Sequence, residues 1–281
     1  MGIITKLSFE QIKNHLNTDY GLKLLAFDEC KNGVSDSVYL LSTDKGAFVL
    51  KLFESASYSQ VAAERELLAA LSALPVSKTF GDISKVEGKP CVLYEAAKGL
   101  HLDKATTSHI KEIGGFLSAM HAITKGLKST NQSFASMCVA KKGLCKDTPF
   151  EPFAHLFDEM AALPVNGVIH GDLFHDNLFF EDGKLSCAID FIEAFEGSFA
   201  FELGVVAFAF GAKFAAALSA SYGLYDEAAI LSHARYAALF YGVGRYKRGG
   251  DYAPCLSFLR QNDIFAPTYT LRPGVAYPAT V

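Results

Sequence analysis

The stretch whose reading decides the fold is Val168-Ile169-His170-Gly171-Asp172-Leu173-Phe174-His175-Asp176-Asn177-Leu178-Phe179-Phe180, followed shortly by Ala188-Ile189-Asp190-Phe191. An apolar pair leads into a polar knot, an apolar run follows, and an acidic residue ends a second short strand. Asp172 and Asn177 stand five apart, and Asp190 comes thirteen later. Loops that position a phosphoryl transfer use the same order: a carboxylate that orients the attacking hydroxyl, then Asn and Asp as oxygen ligands for Mg²⁺. The competing reading makes Asp172, Asp176 and Asp182 ordinary turn residues of Gly-containing loops. His170 reads as a hydrogen-bonding residue that stiffens the loop, and His175 faces solvent or substrate.

A phosphoryl-transfer reading requires a nucleotide site, and the first hundred residues offer one. Ser8-Phe9-Glu10-Gln11 is a capping box that opens a short helix. Two apolar segments, Val38–Leu41 and Ala47–Phe53, flank the turn Thr43-Asp44-Lys45-Gly46 and predict a hairpin. Lys51 lies inside the second segment, where a charge is costly without a partner. It reads either as the lysine that reaches the phosphates of ATP or as an edge-strand lysine with its head in water. Residues 57–74 carry a helical pattern ending at Pro75, and Glu64, at the edge of its buried face, is preferred over Glu66 as the acid for Lys51. The polar turn before the hairpin, with Gly33, Ser35 and Ser37, is suited to cover phosphates through backbone N–H groups and hydroxyls. A second hairpin spans Phe80–Val86 and Cys91–Tyr94, and backbone groups at Tyr94-Glu95 are placed to meet an adenine.

Beyond Gly99 the alternation gives way to helical periodicity. Residues 108–124, 152–163, 199–220, 226–246 and 252–261 predict helices, 125–150 reads as irregular, and the last stretch with Pro267, Pro273 and Pro278 as an irregular tail. The fold class is therefore α+β, a β-rich N-terminal lobe over residues 1–97 and a mainly helical C-terminal lobe over 98–281.

The bulk properties narrow the function. Half of the 281 residues are apolar and a fifth charged, enough for a sizeable core. A formal charge of −4 argues against a nucleic-acid partner. The most apolar region, Leu203–Leu218, contains Lys213 and is too short to span a bilayer. Six scattered cysteines form no C-x-x-C pair and read as free thiols of a cytoplasmic protein. Walker-type, dinucleotide and G-x-S-x-G signatures are absent.

His170-Gly171-Asp172-Leu173 with Asn177, followed by Ile189-Asp190-Phe191, resembles the aminoglycoside phosphotransferase and choline kinase-like superfamily, whose fold is similar to that of protein kinases. Gly167–Phe180, Leu185–Phe191, Gly33-Val34 with Ser37, and Leu52-Phe53-Glu54 are most similar to the homoserine kinases of that fold. The resemblance implies Asp172 as catalytic base, Asn177 and Asp190 as Mg²⁺ ligands, and Lys51 with Glu64 as the ion pair that anchors ATP phosphates. It implies a small-molecule hydroxyl as acceptor, homoserine first, in threonine biosynthesis; choline or ethanolamine, a sugar or an aminoglycoside are the same-fold alternatives. Gly171 stands where homoserine kinases often have Ala, many of them lack a charge at the position of Lys51, and Glu202 stands where relatives commonly carry Asp. Homoserine's carboxylate calls for a cation, for which Arg245, Lys247 and Arg248 are candidates. Rival classes are a non-catalytic nucleotide-binding module and a structural helical protein with a β cap; the intact polar set argues against both.

Overall fold

Apolar and polar residues alternate along Gly46–Leu52, and that alternation fixes which way a five-stranded sheet faces. The computed structural model describes residues 3–30 and 35–261, so Gly33 and the proline-rich end lie outside the described residues. The chain forms two compact units, Met1–Gly99 with Ser186–Ile192 and Leu100–Leu185 with Glu193–Val281.

In the first unit, α1 (Phe9–His15) starts at the Ser8–Gln11 capping box and runs into a wider π-helical turn that ends at Gly21. Strands β1 (Leu24–Glu29), β2 (Ser37–Thr43) and β3 (Gly46–Leu52) follow. Helix α2 (Tyr58–Ala70) is opened by a second capping box, Ser57 with Gln60. Strands β4 (Thr79–Val86) and β5 (Lys89–Glu95) complete an antiparallel sheet of order β1-β2-β3-β5-β4. Phe48, Leu50 and Leu52 join Tyr39, Leu41, Leu93 and the α1 residue Ile12 in one buried core. Lys51 takes the opposite parity and therefore the opposite face. It pairs across to Val38 on β2 and Val92 on β5. β3 is the middle strand, so the edge-strand reading of Lys51 is wrong.

The second unit holds α3 (Thr107–Thr124), α4 (Phe134–Gly143), α5 (Leu156–Ala161) and the short strand β6 (Gly167–Ile169). Strands β7 (Leu178–Glu181) and β8 (Lys184–Ala188) form a hairpin, and β9 (Phe195–Gly197) returns to pair with β6. Helices α6 (Phe199–Phe210), α7 (Ala215–Tyr222), α8 (Glu227–Lys247) and α9 (Ala253–Gln261) follow. α6 is buried almost all round and packs along α8.

Three expectations need correction. Residues 125–150 are not irregular: α4 lies there, capped by Ser133 and burying only Phe134 and Cys138 on its face, too sparse a pattern to register as periodic. The helix expected over 152–163 starts as a single 3₁₀ turn, Glu151–Phe153, and its α-helical part is only α5. The span 199–220 is two helices, because Gly211 takes φ +111° and ends α6. Among the described residues, no helix is long and apolar enough to cross a membrane.

Candidate active site

In the first unit the sheet delivers Lys51 to a cluster of acids. Its ammonium lies 2.7 Å from Asp190 Oδ1 and 3.1 Å from Asp36 Oδ2. Glu64 reaches the same cluster from α2, buried at 4% exposure. Burial by itself would strip the proton from Lys51, but Asp190, Glu64 and Asp36 together raise its pKa above the ordinary lysine value. Glu64 answers in the opposite sense: burial pushes its carboxyl up to about 7, against the pull of Lys51 and of hydrogen bonds from Tyr94 and the Phe191 backbone. The Tyr94 hydroxyl donates to Glu64 Oε2 at 2.9 Å. Asp190 stands in the left-handed region at φ +69°, a conformation that costs a non-glycine residue about 1 kcal/mol and that Asp tolerates better than most. The salt bridge to Lys51 helps to hold it there.

In the second unit, the buried pair Val168-Ile169 on β6 carries the chain into the polar loop. His170 is buried, and its Nδ1 accepts the amide of Asp172 at 3.2 Å, as a loop-stiffening residue would. Asn177 Nδ2 donates to the Asp172 carbonyl at 2.8 Å and to Asp172 Oδ2 at 3.2 Å. That geometry leaves the Asn177 carbonyl oxygen, a hard donor of the kind Mg²⁺ takes, turned away from Asp172. His175 is half-buried against the Phe210 ring, its centroid 4.1 Å away, and burial lowers its pKa.

Gly171 fixes the loop's direction. Its φ is +79°, and a Cβ there would stand 2.3 Å from the Phe195 ring, so the alanine common in similar enzymes does not fit this chain. Its N–H donates to Glu202 Oε1 at 2.7 Å. The other oxygen of Glu202 lies 2.7 Å from His121 Nε2, and His121 Nδ1 is 2.9 Å from the Tyr222 hydroxyl. His121 also stacks on Phe199 at 3.9 Å. Glu202 and His121 are both almost completely buried, so helix α6 holds the loop through a fully partnered network.

The structure thus groups Lys51, Glu64 and Asp190 in one unit and Asp172 with Asn177 in the other. Ser35 is exposed and makes no hydrogen bond recorded among the described residues. Ser37 is a correction: its hydroxyl is buried, accepts the amides of Ile4 and Thr5, and donates to Glu54, so it ties down the N-terminal segment rather than facing a phosphate. The Glu95 amide is engaged with the Lys78 carbonyl at 2.9 Å. Asp36, His121 and the side-chain role of Tyr94 were missed. Asp36 precedes the strand residue that faces Lys51, and this acid-before-strand position was the available signal.

Comparison with known proteins identifies the family. Residues 27–237 match the model of the phosphotransferase enzyme family. A homoserine kinase of Phenylobacterium zucineum is 30% identical over 271 residues, 85% of this chain and 82% of that protein. One from Methylobacillus flagellatus is 28% identical over 73% of this chain and 70% of its own length. Among solved structures, a GDP complex of aminoglycoside 2'-phosphotransferase-IIIa superposes with a TM-score of 0.68 at 15% identity, covering 92% of this chain and 99% of that one. A putative fructosamine-3-kinase of Thermobifida fusca gives 0.63 at 18% identity, over 90% and 98%.

Two outcomes follow from the charges and the loop. An unfolded Glu64 titrates near 4.5 and the folded one near 7, so the folded chain binds more protons in that window and stability falls as pH rises through it. Denaturant titrations from pH 5 to 8 should show the wild type losing about 1–3 kcal/mol relative to Glu64→Gln, then levelling; parallel curves would show that Glu64 is not shifted. Gly171→Ala should cost about 1–3 kcal/mol in the same titration, because both the positive φ and the Phe195 ring oppose it; an unchanged midpoint would contradict the close fit.

Proposed function

The chain belongs to the phosphotransferase enzyme family, and on that premise we propose an ATP- and Mg²⁺-dependent kinase that converts L-homoserine to O-phosphohomoserine, a step of threonine biosynthesis. That it is a small-molecule kinase acting on a hydroxyl follows from the family. The choice of homoserine is carried by one observation: 30% identity to a homoserine kinase across 85% of the chain, where likeness to the aminoglycoside enzyme stands at 15% and speaks for the fold alone.

Asp172 is the carboxylate assigned to the acceptor hydroxyl, which it orients and whose proton it takes as the oxygen attacks. The two bonds from Asn177 hold Asp172 in one orientation, and the Gly171–Glu202 bond holds the loop beneath it. Lys51 is the cation for nucleotide phosphates; Asp190 and the carbonyl oxygen of Asn177 are the oxygen donors we assign to magnesium. These donors fit a hard ion that completes its shell with phosphate and water oxygens. Bound Mg²⁺ and ATP supply the phosphoryl group and neutralise the charge that develops in its transfer. Lys51 is already surrounded by carboxylates, so phosphate binding exchanges part of that contact for phosphate oxygens. The six cysteines are unpaired thiols, which supports a reducing, cytoplasmic setting.

A coupled ADP assay with homoserine, choline, ethanolamine, sugars and aminoglycosides tests the acceptor. Homoserine should give the highest kcat/KM, and no ADP formation with it would remove the assignment. Asp172→Asn should lower kcat by about 10²–10⁴-fold with nucleotide binding retained; wild-type turnover would end the role given to Asp172.

A further inference from the structure

Tyr241, Gly244 and Arg245 share one face of α8, and Arg248, the C-cap residue that follows the helix, continues it. We propose that this face, completed by Lys141 from α4, is the seat of the acceptor's carboxylate. The proposal rests on the reading of the acceptor above and extends it to the residues that choose it.

Two of the cations converge. Lys141 Nζ and Arg248 Nη1 lie 3.4 and 3.5 Å from the point where a Cβ on Gly244 would stand, so the glycine keeps an opening between them. Lys141 is pressed over the Phe240 ring at 4.2 Å. Burial, and then the charge of Arg248, lower its pKa below the ordinary lysine value. The Arg245 guanidinium sits 5.5 Å from the centre of the Phe174 ring, two residues past Asp172 in the polar loop. Its hydrogen bond is to Cys255 Sγ at 3.7 Å, a weak acceptor. Among the described residues, no salt bridge joins Lys141, Arg245 or Arg248 to a carboxylate. Lys141 and Arg248 stand close enough to repel one another, with Glu193 the carboxylate that acts on Lys141, and a bound carboxylate would relieve them further, with Arg offering it a two-pronged fork.

A second observation is independent of those charges. The Tyr241 hydroxyl is buried and, among the described residues, has no hydrogen-bond partner. Tyr241 packs edge-on against Phe174 at 4.8 Å, and the charges acting on it are those of Asp172, Glu202, Glu193 and Arg245. A buried hydroxyl beside the base and an arginine is a donor without an acceptor, and a carboxylate oxygen supplies one. The opening therefore suits an alcohol bearing a carboxylate and opposes a cationic amine such as choline. Of the cations suggested by sequence, Arg245 and Arg248 belong to it; Lys247 is exposed, off this face, with its ammonium over Tyr246.

The test compares three acceptors: L-homoserine, 4-hydroxybutyrate, which keeps the carboxylate, and 3-aminopropan-1-ol, which lacks it. Arg245→Gln and Lys141→Gln should reduce the kcat/KM ratio of homoserine to 3-aminopropan-1-ol about ten- to hundredfold, chiefly through KM. Arg245→Lys should recover part of the loss, and Tyr241→Phe should show a smaller one. Arg248→Gln, at an exposed position, serves where a buried substitution impairs folding, with calorimetric binding of homoserine as readout. An unchanged ratio overturns the proposal, and so does a loss confined to the KM for ATP, which would mark a phosphate site. If homoserine is inert but 4-hydroxybutyrate is turned over and shows the same losses, the named acceptor falls and the carboxylate seat stands. A wild type that accepts only carboxylate-free alcohols overturns the seat itself.

Discussion

A short polar loop keeps one conformation only if something rigid holds it, and here that constraint is the bond from the Gly171 amide to Glu202. The acid is buried in an otherwise apolar helix, where an unpaired carboxylate would be prohibitively costly. It is tolerated because both oxygens are engaged, one by the loop and one by His121. The same bond explains why position 171 carries glycine: the backbone must turn through a positive φ beneath the Phe195 ring to aim its amide at Glu202. Asp172 and Asn177 inherit their geometry from that anchor.

The first unit solves a related problem by concentrating charge. Lys51 emerges on the non-core face of a central strand and would be destabilising there alone. Asp36, Glu64 and Asp190 approach from three different segments, so the cluster also ties the β8-following stretch to the sheet. Removing one partner of such a buried set leaves charge uncompensated, typically at about 3–5 kcal/mol. The charge of the whole cluster, rather than any single pair, is what keeps Lys51 protonated, as its proposed role toward phosphate requires.

Much of this was legible in the sequence. The Ser8–Gln11 capping box and both hairpins follow from local patterns, and the spacing of Asp172, Asn177 and Asp190 pointed to the proposed chemistry. What escaped was non-local. Asp36 and Tyr94 join the Lys51 cluster through sheet register and a helix docked from elsewhere, which no periodicity encodes. His121 looked like one more residue of a buried helix until α6 placed Glu202 against it. Helix α4 was invisible because it buries only two side chains, and Ser37 looked exposed because nothing in its neighbourhood announces that Ile4, Thr5 and Glu54 will enclose its hydroxyl. Lys141 escaped for the same reason, since its proposed role depends on meeting the end of α8 about a hundred residues later.

The most direct measurement is phosphorus NMR of the purified chain with ATP, Mg²⁺ and L-homoserine. The account predicts a phosphomonoester resonance, that of O-phosphohomoserine, growing in equal proportion to ADP and absent when either homoserine or Mg²⁺ is left out. ATP left intact under those conditions, or converted only to ADP and inorganic phosphate, would contradict it.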